Sequence, residues 1–247
     1  MTKYKYGNPE ASIVLIQPVG DHDLPEIEGE VAQIRKLTAQ DFQMIAVKVD
    51  DWNLDLSPWK APAVFGNEDF GGGAASLLEE ILRLCPDERK TYYLGGYSLA
   101  GLFSLWASYQ TDRFAGIAAA SPSVWFPGFL SYMKEHENQS RAVYLSLGDK
   151  EEKTRNPVMA IVGGAGGSLY PDRLCTSAGE RAFLYAGMES GESFQRSGSA
   201  DCEGICLGNE KFINFAYWIG GEGYGNGSSG IHIDIIVWSI YRYHYKK

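Results

Sequence analysis

Up to about Ala160, apolar residues fall into blocks of two kinds that take turns along the chain. Ile13–Ile16, Met44–Val49, Tyr92–Leu94, Phe114–Ala120 and Val143–Leu147 are runs with almost no polar interruption, and their length and content predict buried strands. Between them apolar residues recur at helical spacing. Ile27, Val31 and Ile34 make one stripe, Leu77, Leu78, Ile81, Leu82 and Cys85 a second, and Leu99, Leu102, Phe103 and Trp106 a third, each predicting a one-sided helix. Asp23 stands where the first helix would take its N-cap, with Pro25 and two glutamates in the first turn. Strand and helix in alternation predict an α/β domain.

Two stretches break the pattern. Asp50–Phe65 carries two Trp and two Pro with no period, and predicts a long loop in which Trp52, Trp59 and Phe65 either wall a pocket or pack on one another. Beyond Ile161 lie most of the glycines and three of the four cysteines, and the segment from Gly163 to Gly208 has no sustained helical or strand period. Its scattered aromatics and cysteines also set it apart from disordered composition. The expected organisation is a folded core over 1–160 and an atypical tail over 161–247.

Composition narrows the function. A chain of 247 residues is long enough for one domain burying roughly 70–75% of its unfolded surface. The net charge of −9 and the absence of a basic cluster argue against nucleic acid or an anionic membrane as partner, and favour a small molecule. Met1–Tyr6 has no apolar leader pattern and no run reaches a membrane span, so a cytoplasmic location is expected. Cys202 and Cys206 are too far apart for a zinc knuckle and lack a histidine pair, so free thiols and no metal are expected. No Gly-x-Gly-x-x-Gly follows the first strand, which removes the usual dinucleotide site.

The candidate chemistry sits at Ser98. The strand Tyr92–Leu94 runs through Gly95-Gly96-Tyr97 into Ser98, and the helical period starts at Leu99. A serine on a sharp strand-to-helix turn needs small neighbours, which Gly96, Ala100 and Gly101 provide. The arrangement is one methyl group away from the Gly-x-Ser-x-Gly nucleophile elbow, in which the amide after the serine gives half of an oxyanion hole. Leu99 would give that amide, and Val19 or Gly20, in the loop after the first core strand, the other half. An acid that orients a catalytic histidine belongs just past the strand Val143–Leu147, where Asp149, Glu151 and Glu152 all qualify. Strand ends collect site residues in α/β folds, so Trp125, after Phe114–Ala120, joins Trp59 as expected pocket lining.

Gly96–Gly101, Ala120–Trp125 and Leu147–Glu152 together resemble the serine-dependent α/β-hydrolases related to esterase D and the siderophore esterases, over about residues 13–160. The resemblance implies a mixed, mostly parallel sheet with helices on both faces, ester hydrolysis through an acyl-serine, a small-molecule ester substrate and no cofactor. It favours Glu151 as the acid, with Asp149 second. Such enzymes carry their histidine in a loop after the last strand; His22 and His136 come too early in that chain order, and nothing past Ala160 matches it, His232 and His244 included. The closing strand and helix are therefore expected to be lost or scrambled. Reading the codons of Leu184 to Lys211 one base later, with permitted codons, gives Leu-Glu-Trp-Asn-Pro-Gly-Asn-His-Phe before an amphipathic helix, so a frameshifted tail is expected. Activity would then be impaired; the alternative is a non-catalytic small-molecule-binding protein on an esterase-like fold.

Overall fold

The computed structural model of the chain describes residues 1–147, apart from 39 and 65, and three strands covering 183–188, 193–198 and 201–207. The central sheet holds β1 (Thr2–Gly7), β2 (Ile13–Val19), β3 (Phe42–Lys48), β6 (Thr91–Tyr97), β7 (Gly116–Ala120), β8 (Ala142–Leu147), β9 (Phe183–Met188), β10 (Ser193–Gly198) and β11 (Asp201–Leu207). Its order is β1-β3-β2-β6-β7-β8-β9-β10-β11, and the pairs from β3 through to β9 are parallel. β1, β10 and β11 join antiparallel at the two edges. The small hairpin β4 (Lys60–Ala61) and β5 (Phe70–Gly71) stands apart from this sheet. The mostly parallel α/β sheet is the architecture expected from the sequence. The strands β9 to β11, in contrast, fall where no period predicts them.

Helices cover both faces of the sheet. On one side, α1 (Ile27–Leu37) sends Ile27, Val31 and Ile34 onto Ile13, Leu15 and Met44. On the other, α3 (Ala74–Leu82), α4 (Leu99–Ala107) and α5 (Phe129–Glu135) bury Leu78, Ile81, Leu102, Phe103 and Phe129 against Val14, Ile16, Ile45 and Leu94. The α4 stripe predicts one buried side, but every residue from Leu99 to Ala107 is buried. The helix is thin enough for that: Gly101 lies against the carbonyls of Gly96 and Ala120, and Ser104 donates its hydroxyl to Ala100 O at 2.8 Å.

Strand order locates the working end of the sheet. From β2 the chain moves outward to β3, then returns past β2 to β6, so β2 and β6 flank the point where the direction of winding reverses. Ligands in open α/β sheets bind outside the carboxyl ends of the strands at such a point. Pro18 opens it further. Val19 O accepts from Val49 N–H, which turns Val19 toward β3 and, by strand alternation, Pro18 toward β6. Proline has no N–H for a ladder, and the β2–β6 register ends just before it, at Ile16 opposite Leu94. The two strands part there.

Candidate active site

The parting strands leave a pocket of about 130 Å³ lined by Gln17, Pro18, His22, Asp23, Trp52, Tyr97 and Ser98. That is the space of about four waters, enough for a reacting ester group and a short acyl chain.

Ser98 enters it from the corner between β6 and α4. Its backbone, at φ 57° and ψ −117°, lies in a region L-residues rarely occupy, which costs of order 1–3 kcal/mol. Three backbone bonds hold the strain. Ser98 N–H donates to Ala120 O at 3.0 Å, Ser98 O accepts from Ser123 N–H at 3.0 Å, and the first helical bond, Leu102 N–H to Ser98 O, closes at 2.9 Å. The helix must also pass close to the strand. A Cβ on Gly96 would lie 2.6 Å from the carbonyl of Ala100, so this glycine is required for the elbow to form with alanine at position 100. Ser98 is half-buried, and its Oγ lies 3.2 Å from Oγ of the buried Ser123. Leu99 opens α4, ahead of the first intrahelical acceptor, so its N–H is one of the unpaired donors at the positive end of the helix dipole.

Across the pocket lies the loop after β2. Asp23 does not cap α1 as its position suggests; a short 3₁₀ turn, Leu24–Glu26, comes first, and the carboxylate turns back. Its Oδ2 accepts from Gly20 N–H at 2.8 Å and its Oδ1 is 3.3 Å from His22 Nε2. The His22 ring meets Trp52 edge-on, with centroids 5.6 Å apart, and Trp52 opens a short helix, Trp52–Asp55, capped by Asp51 Oδ1 accepting from Leu54 N–H.

Beneath the wall lies a buried polar pair. Gln17 Nε2 donates to Glu30 Oε2 at 3.3 Å, while Gln17 Oε1 and Glu30 Oε1 have no partner. Burial, and to a smaller degree the Asp23 charge, push the Glu30 carboxyl up to about 8 against the lowering effect of the Gln17 hydrogen bond. A neutral acid suits an amide partner. The protonated carboxyl has an O–H to offer, and Gln17 Oε1 is a buried acceptor without a partner.

Of the residues singled out from sequence, Ser98 and Leu99 are at the pocket mouth and the adjoining helix start. Val19 is not. It is fully buried, with its peptide turned to β3, and Gly20 N–H is engaged by Asp23. Trp59 is not at the pocket either. Its Nε1–H donates to Pro127 O at 2.9 Å and its ring packs among Phe126, Phe129 and Tyr132, because the loop folds onto α5 and not onto β6. Trp125 sits against Phe70, and Trp52 is the tryptophan that lines the site. Phe65, Asp149, Glu151 and Glu152 lie outside the described residues. Sequence reasoning missed Gln17, Asp23 and Ser123, and set His22 aside on chain order. A proline within an otherwise apolar central strand was the available signal that the sheet opens there.

No family model and no curated protein matches the chain. Among solved structures, the siderophore hydrolase EstA from Aspergillus nidulans is 19% identical, with 74% of this chain and 78% of that chain covered at a TM-score of 0.50. The chain has the α/β-hydrolase fold. Other solved α/β-hydrolase neighbours include the enterochelin esterase from Shigella flexneri, at 15% identity, 74% and 48% coverage and a TM-score of 0.48. The Zea mays acyl-protein thioesterase 2 follows at 11% identity, 89% and 97% coverage and 0.47. The chain spans about half the length of the Shigella enzyme.

Proposed function

We propose that the protein is a carboxylic-ester hydrolase that works through an acyl-serine on Ser98. The observation that carries this reading is the strained, braced elbow, which presents a hydroxyl beside the N-terminal amides of a buried helix. Ser98 Oγ attacks the ester carbonyl as its proton passes to a base. The oxyanion that forms takes the Leu99 N–H, and collapse expels the alcohol to leave an acyl-serine, which water then hydrolyses. The substrate is a small-molecule ester with a short acyl group, in keeping with the pocket volume. No described helix is long and apolar enough to cross a membrane, and a cytoplasmic location is part of the proposal.

Glu151, or failing it Asp149, is proposed as the orienting acid, with the family histidine encoded only in the out-of-frame reading of the tail. On that reading residues 1–160 are the hydrolase core, 161–247 are unselected sequence, and turnover is impaired by loss of the base, a defect worth about 10⁴–10⁶ in related triads. Labelling with a fluorophosphonate and peptide mass analysis test the nucleophile. The adduct is expected on Ser98, and Ser98→Ala is expected to abolish both adduct and hydrolysis of p-nitrophenyl acetate. A Ser98→Ala protein that hydrolyses the ester as wild type does would refute the mechanism, and a wild type that binds esters without turnover would support the binding-module alternative. Sequencing the gene across codons 160–211 tests the frame. DNA that cannot encode Asn-His-Phe in any frame would overturn the frameshift.

A further inference from the structure

The loop after β2 brings an imidazole and a carboxylate to the pocket that Ser98 enters, and the mechanism above gives neither a role. We propose that His22, steered by Asp23, is the general base that supports the turnover of Ser98 in this chain. The inference rests on Ser98 being the nucleophile.

The pair has the asymmetry a base and its orienter need. Asp23 is buried and fixed at both oxygens, by Gly20 N–H at 2.8 Å and by His22 at 3.3 Å, whereas the His22 side chain is 74% exposed and has room to turn. Both line the same small pocket as Ser98. In the resting arrangement Ser98 Oγ is paired with Ser123, and the ring edge of His22 rests on Gly20, where an added Cβ would lie 2.7 Å from Cε1. A turn of the exposed ring about its contact with the fixed Asp23 carboxylate, on the timescale of surface rotamer changes, aims its free nitrogen into the pocket toward Oγ. Catalytic hydrogen bonds are commonly incomplete before substrate binds. Trp52 walls the ring on the side of α2, the Trp52–Asp55 helix. The other histidine among the described residues, His136, is stacked on Tyr132 with Nδ1 2.9 Å from Tyr132 O, and it does not line the pocket.

The proton balance closes within these groups. As the Oγ–carbon bond forms, the Ser98 proton passes to the free nitrogen of His22 and Asp23 stabilises the imidazolium. The imidazolium returns that proton to the leaving alkoxide as the ester C–O bond breaks. Water, deprotonated by the same nitrogen, then cleaves the acyl-serine and restores the hydroxyl. The base arrives from the first strand-to-helix loop and not from the end of the chain.

Single-turnover acylation by p-nitrophenyl acetate separates this proposal from the one it rests on. His22→Ala is expected to slow acylation by about 100-fold or more, with partial recovery in added imidazole, and Asp23→Asn to slow it less. His136→Ala should acylate at the wild-type rate. Thermal melts of His22→Ala and His22→Gln confirm that both fold. If Ser98→Ala abolishes acylation while folded His22→Ala and His22→Gln retain the wild-type rate, His22 is not the base and the serine mechanism stands without it. A folded His22→Ala that loses activity and gains nothing from imidazole also overturns the assignment. If Ser98→Ala acylates normally, the nucleophile itself is wrong.

Discussion

Replacing Glu30 with glutamine should make the protein more stable, and increasingly so as pH rises. The carboxyl has an ordinary value of 4.5 and is pushed up to about 8 in the fold, so between these values the folded molecule holds a proton that the unfolded chain has released. The sign follows directly. For an acid raised on folding, wild-type stability is highest below pH 4.5 and falls through the window by about 1.4 kcal/mol per pH unit until the folded carboxyl ionises near pH 8. The accumulated loss is about 3 kcal/mol at pH 7 and about 5 kcal/mol above pH 8, a large part of the total stability of an ordinary domain. The substituted amide would keep the shape of the Glu30 side chain and its pairing with Gln17, and would titrate in neither state. Urea unfolding followed by tryptophan fluorescence, at half-unit steps from pH 5 to 9, gives the difference between E30Q and wild type directly. It should be near zero at pH 5 and grow to several kcal/mol at pH 9. Parallel curves across that range would show that Glu30 is already ionised in the fold.

Three further outcomes follow from the site. Ser98→Gly should be more stable than Ser98→Ala by about 1–3 kcal/mol, because glycine accepts the φ of 57° without strain; equal melting temperatures would mean the elbow is unstrained. Gly96→Ala should cost about 1–3 kcal/mol and most of the activity, since its methyl meets Ala100 backbone at 2.6 Å and forces strand and helix apart; retained kcat would refute the tight elbow. Trp52→Ala should raise KM for short-chain esters with little change in unfolding midpoint, whereas Trp59→Ala should lower stability by about 3 kcal/mol and leave KM alone, the ring being packed among Phe126, Phe129 and Tyr132. The opposite assignment of the two effects would restore Trp59 as pocket lining.

The strands from Ile13 to Leu147 were legible because buried parallel strands and their crossover helices write themselves as hydrophobic period, and the elbow because its glycines serve a steric need that few other structures share. The far wall of the site was not legible for a different reason. Asp23 reads as a helix cap from local spacing, yet a 3₁₀ turn of three residues displaces the helix start and frees the carboxylate for Gly20 and His22. His22 was excluded by a rule of chain order that describes where relatives keep a histidine and carries no geometry. Trp59 and Trp52 are indistinguishable as members of one aromatic loop, and only the direction in which that loop folds tells which of them lines the pocket. For residues 183–207 the strands follow from pairing with β8 and with one another, a long-range effect that local alternation does not encode.

The peptide of Ser98 is shared by β6, α4 and the exit of β7, through its bonds with Ala120, Leu102 and Ser123. One wall of the pocket therefore has the rigidity of the sheet, and its hydrogen-bonded amides, those of Ser98, Leu102 and Ser123, should exchange with solvent only when the whole domain opens. The facing wall, carried by a few loop residues after Pro18, is tied down by Asp23 and by the Asp21–Lys48 ion pair at the surface, and its backbone is not woven into two strands and a helix. New substrate preferences can be acquired there by single substitutions at little risk to the fold, while almost any change at the braced wall would have to be compensated across two strands and a helix at once.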